Sequence, residues 1–465
     1  MSLRPPKVGV LPLYLALYEE AGPELRLDME TFARLVVERL QAQGLEVVLT
    51  RTCWFRQQVE AQVAALTAAE VDLLATLHLS YSPSLEAVEA LQAAPLPLLL
   101  LDTTPNPRFA DHVNREELIR NHAIHGVQDL ASVLRRVGRR YELVVGYVHS
   151  SDFLEAVIEV ARAAQITRAL RTMRVLAIGE PFSGMGDFQV EASLLEKLLG
   201  VHTERVEVNA LGSYLAQVSA GDVIGENAED MARYDCDGLV PERLTDSNRV
   251  GLAVRAMLAD MGAGAFTANF TEFDVALGLH TYPFLEASKA MERGVGYAGE
   301  GDVLTAALVG ALLQGFREVT FCEMFCPDWA ENWILISHMG ECNLAMANQK
   351  PRLVEKALAL GPLENPVVPI FPLRAGPATL VNLAPAPGDT LSIIVSPVQI
   401  LARALEPGLP DSPHFWIRRE DRVLPDFLGD FSELGGTHHS ALISGEHVGV
   451  IKRMAHMLGL ACHEI

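Results

Sequence analysis

Between residues 7 and 148, five apolar runs of strand length alternate with stretches of helical periodicity. That alternation restricts the fold more than any other feature of the chain. The runs are KVGVLPL at 7–13 and the segments 45–50, 71–77, 96–101 and 143–148. A helix is expected from about Asp28 to Gln43, where Phe32, Val36 and Leu40 recur at i, i+4 and i+8 and Gly44 stands at the C-terminal cap. Further helices are expected at 57–68, 84–93 and 115–137. Strands separated by helices form a parallel, doubly wound sheet. Ligands of such sheets bind beyond the carboxyl ends of the strands, the edge on which HLSYSP at 78–83 falls. No G-x-G-x-x-G follows the first strand, so a nucleotide cofactor has no support.

A helix at 152–164 and a basic connector (Arg168, Arg171, Arg174) lead to a second α/β unit that starts at Val175. Its first strand runs into EPFSGMGDF at 180–188, whose glycines suit a turn that approaches a ligand closely. A helix at 189–199, a strand at 201–208 and a long helix at 241–261 continue the unit. Beyond Ala347 the pattern changes to short β-type runs at 366–372, 378–383, 390–396 and 414–417, parted by Pro, Gly and Asp clusters. Such a pattern fits an antiparallel sheet or small barrel. A helix at 447–458 closes the chain. At 465 residues the chain exceeds one core. The expected fold is α/β: two doubly wound, Rossmann-like domains at 1–171 and 172–327, then a β-rich, barrel-like domain at 328–465.

Acidic residues outnumber Lys and Arg by 59 to 37, a net charge of −22 that excludes a nucleic-acid partner. Six scattered cysteines are too sparse for a disulfide framework and point to a reducing compartment. The N-terminal apolar run is short for a signal peptide, and no stretch reaches the roughly 18 apolar residues of a membrane span. The expectation is a cytoplasmic protein with no membrane partner.

The chemistry-bearing stretch is 294–346. Glu300 stands between Gly299 and Gly301, just before a segment, 302–316, that is apolar nearly all round. A helix of that kind is buried, so Glu300 is tethered to a rigid element. Glu323 ends a short β-type run, and a second run at 333–337 delivers His338. Two carboxylates and an imidazole at element ends can hold a hard divalent cation. Each alone also has a plainer role, as a solvated turn residue or a hydrogen-bonded structural histidine.

The sequence AGEGD followed by TAAL resembles the metal-site loop of the L-arabinose isomerase family. HMGEC at 338–342 and GGTHHS at 435–440 resemble two further motifs of that family, in its order and at similar spacing. The resemblance implies an aldose–ketose isomerase with a divalent metal held by Glu300, Glu323, His338 and His439; a pair of carboxylates suits proton transfer through an enediol, and a metal-assisted hydride shift is the alternative. Glu300 and Glu323 would also be the acid and base. The metal would be Mn2+, with Mg2+ or Co2+ as alternatives. NHAIHG at 121–126 resembles a sugar-contacting motif in which His125 matches the family's histidine and His122 replaces a glutamine. Tyr81 stands where the family has phenylalanine, and PLYLAL at 12–17 offers no side-chain amide where the family carries a glutamine. His122, His125, Tyr81 and His438 are thus implied substrate contacts. A homo-oligomer, trimer or hexamer, with His125 completing a neighbour's site, is implied as well.

Three other readings compete. An epimerase could use the same metal site. Cys322, Cys326, His338 and Cys342 could form a zinc site, although the C-x3-C spacing is loose and both glutamates would go unused. Two α/β lobes could also close on a sugar without catalysis.

Overall fold

The five apolar runs of the first 150 residues become five parallel strands. The computed structural model describes residues 3–21, 23–109, 114–358 and 363–465, and divides into two compact units. One comprises residues 4–168 and 452–459. Its strands β1 (Lys7–Leu13), β2 (Glu46–Leu49), β3 (Leu73–His78), β4 (Leu98–Asp102) and β5 (Glu142–Val145) lie in the order β2-β1-β3-β4-β5. All pairings are parallel. Leu11, Leu13, Leu74, Leu98 and Leu100 pack with Val59, Val63, Leu66, Leu91, Val127 and Leu130 from the helices. This is why the strands read as unbroken apolar runs.

Two local expectations in this unit fail. The helix expected over 115–137 is broken into Arg115–Asn121 and Ile124–Arg136. His122 ends the first piece, and its Nδ1 donates to the Ile119 carbonyl at 2.8 Å. His122 and His125 therefore do not share a helix face, although their rings remain 5.6 Å apart. The helix expected at 152–164 runs on as Ser151–Arg171, so Arg168 and Arg171 are helical and Arg174 opens the next strand. Its Ala- and Arg-rich end has high helix propensity and nothing to stop it before Met173.

The other unit, residues 169–451 with both extreme ends, holds the rest. Strands β6 (Arg174–Ile178), β7 (His202–Val206), β8 (Ala265–Ala268) and β9 (Gly296–Gly299) form a parallel sheet in the order β7-β6-β8-β9. Ile178 pairs with Ala268 and Ala268 with Gly299. The register thus brings the 180–188 loop, Asn269 and Glu300 to one carboxyl edge. Helix Val303–Gly315 is buried along nearly its whole length; truncating a side chain such as Leu308 to alanine would cost about 2–5 kcal/mol.

Strands β10 (Val319–Asp328) and β11 (Trp333–Ser337) follow, then a small pair, β12 (Arg352–Glu355) and β13 (Val367–Ile370). Next come β14 (Gly376–Ala386), β15 (Thr390–Ile400), β16 (His414–Arg418), β17 (His439–Ser444) and β18 (Ala461–Glu464). Six of these close into an antiparallel barrel in the cyclic order β14-β17-β10-β11-β16-β15, and β18 adds parallel to β15. Residues such as Ile334, Ile336, Leu380, Ile394 and Leu442 fill its core with Phe427 and Phe431. Both α/β expectations and the β-rich, barrel-like one hold. Strand β17 and helix Leu424–Glu433 were not expected. Among the described residues no helix is long and apolar enough to cross a membrane.

Candidate active site

The parallel sheet and the barrel of the larger unit each contribute a carboxylate. Glu300 follows β9 in a left-handed conformation, with φ of 66°, a region costly for a residue with a side chain. Its neighbours hold it there. Glu300 N–H donates to the Ala268 carbonyl at 3.1 Å, and Gly301 N–H donates to Thr267 Oγ1 at 3.0 Å. A Cβ on Gly301 would sit 2.5 Å from Pro181 Cα, and one on Gly299 would sit 2.7 Å from the His338 ring. The two glycines are where the loop and the imidazole press against this turn.

Glu323 is placed by barrel register, paired with Ser337 of β11 on one side and His439 of β17 on the other. A bulge between Met324 and Cys326 follows at once, which re-aims the strand just past the carboxylate. His338 leaves the end of β11 and His439 begins β17, so the second histidine of GGTHHS is a strand residue rather than a loop residue. The apolar run that follows it, ALI, is short, and the polar THHS before it hides the strand start. Buried Asn382 secures this turn: its Oδ1 accepts from Thr437 N–H at 3.2 Å, and its Nδ2 donates to the His439 carbonyl at 2.7 Å.

Both buried imidazoles are backed by carboxylates. His338 Nδ1 meets Glu341 Oε2 at 2.8 Å, and Glu341 Oε1 accepts from the Tyr297 hydroxyl at 2.7 Å. His439 Nδ1 meets Asp302 Oδ2 at 2.9 Å, while the other oxygen of Asp302 caps helix Val303–Gly315 at Thr305 N–H. Each carboxylate fixes the tautomer that turns Nε2 away from it. His439 Nε2 is buried, has no hydrogen-bond partner among the described residues, and lies 3.6 Å from Glu300 Oε2. Phe321 packs edge-on against both rings.

Electrostatics separates the groups. Burial opposes ionisation of Glu300, but the neighbouring imidazoles of His438, His338 and His439 outweigh it and hold the carboxyl below its usual range. Burial likewise opposes protonation of His338, and the Glu341 carboxylate outweighs it, raising the imidazole. His438 is pushed up to about 9: desolvation opposes this, and Glu300 and Asp187 outweigh it.

Glu323, His338 and His439 present ligand atoms within 4.8 Å of one another, and so do Glu300, His438 and His439. His439 is common to both sets. Its orphaned nitrogen, between carboxylate oxygens, suits a divalent cation of intermediate hardness. His438 fits less well as a ligand, since its Nδ1 is taken by Asp187 at 2.6 Å and its Nε2 faces Glu300 at 3.6 Å. Among the described residues no cysteine belongs to a cluster that could hold a metal. Cys322 and Cys342 are buried thiols pushed up by desolvation, and Cys326 is exposed, so the zinc reading loses its basis.

Asp187, Asp302, Tyr297 and Glu341 escaped the sequence reading. Only Glu341, three residues after His338, had a signal in the linear pattern.

Tyr81, His122 and His125 belong to the smaller unit. Tyr18 Oη donates to His122 Nε2 at 3.0 Å, and Tyr81 Oη reaches Asp129 at 3.4 Å. His125 is exposed. His78, at the end of β3, is fully buried with neither ring nitrogen bonded among the described residues, and desolvation lowers it to about 4.

Residues 165–314 match the L-arabinose isomerase central domain, and residues 318–461 match the L-arabinose isomerase C-terminal domain. The L-arabinose isomerase of Nocardioides sp. (strain ATCC BAA-499 / JS614) is 28% identical over 460 residues, 93% of this chain and 89% of that protein. That of Acidothermus cellulolyticus is 28% identical, covering 92% of this chain and 88% of its own length. That of Phocaeicola vulgatus is 27% identical, covering 90% and 86%. A periplasmic solute binding protein from Actinobacillus succinogenes with bound D-allose aligns over 67% of this chain and 91% of its own at 12% identity, with a TM-score of 0.18, too loose to bear on fold or function.

Proposed function

This chain belongs to the L-arabinose isomerase family, and from that premise we propose that it is a metal-dependent aldose–ketose isomerase acting on an open-chain sugar. The observation that carries the metal dependence is His439: buried, backed by Asp302, with Nε2 unpartnered beside Glu300. Glu300, Glu323, His338 and His439 would hold the cation, Mn2+ foremost. A divalent cation held there would supply Lewis-acid stabilisation of the negative charge that develops on the sugar oxygens.

The protons move between side chains and sugar. Glu300, held ionised, is in the form that accepts one. In the aldose-to-ketose direction a carboxylate takes the C2 proton. The electron pair forms a C1–C2 double bond as the C1 carbonyl opens and O1 gains a proton. The enediol then loses the O2 proton, its C2–O2 bond becomes a carbonyl, and C1 receives a proton. One carboxylate serves carbon and the other serves oxygen, which is the work of Glu300 and Glu323. Glu323→Gln or Glu300→Gln keeps the shape and removes the acceptor, so turnover should fall at least ~10²-fold. Near-normal turnover in Glu323→Gln would sink the two-carboxylate mechanism.

We further propose a cytoplasmic homo-oligomer, trimer or hexamer, in which His125 of one subunit completes the site of another. A monomer by light scattering at micromolar concentration would count against this. His122 and Tyr81, where the family carries glutamine and phenylalanine, favour a sugar other than L-arabinose, because they change which distal hydroxyls find a partner. A panel of aldoses and ketoses with Mn2+, compared by kcat/KM, tests both points. A wide margin for L-arabinose would refute the distal-pocket argument, and epimers in place of ketoses would refute isomerisation.

A further inference from the structure

We propose that Asp187 is a positioning residue that clamps the His438 ring over Glu300 and so couples the 180–188 loop to the reacting end of the site. This rests on the isomerase reading above.

The geometry is specific. Asp187 Oδ2 accepts from the His438 backbone N–H at 2.9 Å and meets the His438 Nδ1 at 2.6 Å. One oxygen thus holds the main chain and the ring of the same residue. Two such bonds leave the ring little freedom about its side-chain torsions, and its other nitrogen, Nε2, is left 3.6 Å from Glu300 Oε2. The next residue, Phe188, is buried; it stacks on His439 with ring centroids 5.4 Å apart and touches His438 at 5.6 Å.

The start of the loop is tied to the opposite wall. Phe182 N–H donates to the Glu300 carbonyl at 2.9 Å, and Pro181 fills the space beside Gly301. Nine residues therefore span from the Glu300 turn to the His438–His439 turn and are fastened at both. The metal-facing His439 does not depend on this clamp, because Asp302 holds it separately.

A plainer role would be to tie an exposed loop to the barrel. Asp187 is more than a third exposed, and exposed ion pairs add little to stability, so removing it leaves the fold standing and tests the ring alone. In the full-length Mn2+-loaded protein, Asp187→Ala should lower kcat/KM by ~10–100-fold, mainly in kcat, the size of effect that misplacing a reacting group by about an ångström produces. Mn2+ affinity should stay at the wild-type value. Asp187→Asn should recover most of the loss, since its Oδ1 can accept both bonds. Wild-type turnover in Asp187→Ala, loss of metal affinity in step with turnover, or no recovery in Asp187→Asn would each overturn the assignment. The crystal structure of Asp187→Ala gives a readout without turnover: the His438 ring should leave Glu300, and a ring that stays in place overturns the inference. If the wild-type protein converts no sugar, the isomerase reading fails, and the ring position still decides the role of Asp187.

Discussion

The two units carry histidines of opposite kinds. In the larger, His338 and His439 each have a buried carboxylate behind Nδ1 and an Nε2 turned outward. In the smaller, His122 has a peptide carbonyl behind Nδ1 and the Tyr18 hydroxyl in front of Nε2. A carboxylate raises the basicity of the far nitrogen and leaves its lone pair free, which is what a metal ligand needs. A carbonyl behind and a hydroxyl in front use up both nitrogens, so such a ring can take a metal or a sugar hydroxyl only by giving up a bond it already has. His78 is a third kind, kept neutral by burial alone. What stands behind an imidazole therefore decides its chemistry as much as what stands in front.

The comparison breaks most visibly at His439. His439→Ala should weaken Mn2+ binding by more than the ~10–100-fold typical of groups behind a ligand, and His438→Ala should weaken it less. Titration calorimetry gives the ranking, and the reverse order would undo the assignment of His439. Next in size are the carboxylates themselves: Asp302→Asn and Glu341→Gln should each cost ~10–100-fold in Mn2+ affinity. If affinity is unchanged in both, the backing carboxylate is irrelevant and the contrast between the units collapses.

In the smaller unit, Tyr18→Phe leaves His122 Nε2 without its donor, for about 1 kcal/mol of stability by urea unfolding. Mn2+ affinity should not change, and a metal effect there would blur the distinction. The smallest effect is a pH dependence of the metal-free protein. His438 is raised in the folded state to about 9, so the stability it contributes is full below its ordinary value of about 6.5. That contribution is lost as pH rises through 9. The stability gap between wild type and His438→Gln should therefore shrink between pH 6 and pH 10. A gap that widens would mean the ring is buried neutral.

The parts of this protein legible in its sequence are those set by local pattern. The strands of the parallel sheets show because they are covered on both faces and are apolar throughout. Helix Val303–Gly315 shows because it is buried all round. Helix Leu424–Glu433 does not, since LPDFLGDFSE mixes glycine and three acids with its apolar face; the proline near its start was the available signal. The structure brings Glu300, Glu323, His338, His438 and His439 into one locality, and these were named from the motifs they sit in. The groups that orient them were not. Asp187 meets His438 across 251 residues and Asp302 meets His439 across 137, and no periodicity or spacing rule spans such distances.

The position of β17 also bears on when the site can exist. That strand is inserted between β10 and β14, which come earlier in the chain and are otherwise unpaired on those edges. Until it docks, the barrel is an open sheet, Glu323 has no His439 opposite it, and two bare edges invite mispairing. Closing the ring needs contacts far apart in sequence, which form slowly. On the proposed reading a metal ion would be a latecomer to folding: it would lock the finished barrel and could not template it. On refolding from urea, Mn2+ binding should emerge with the slowest phase of β-sheet signal, and binding in an earlier phase would contradict this order of events.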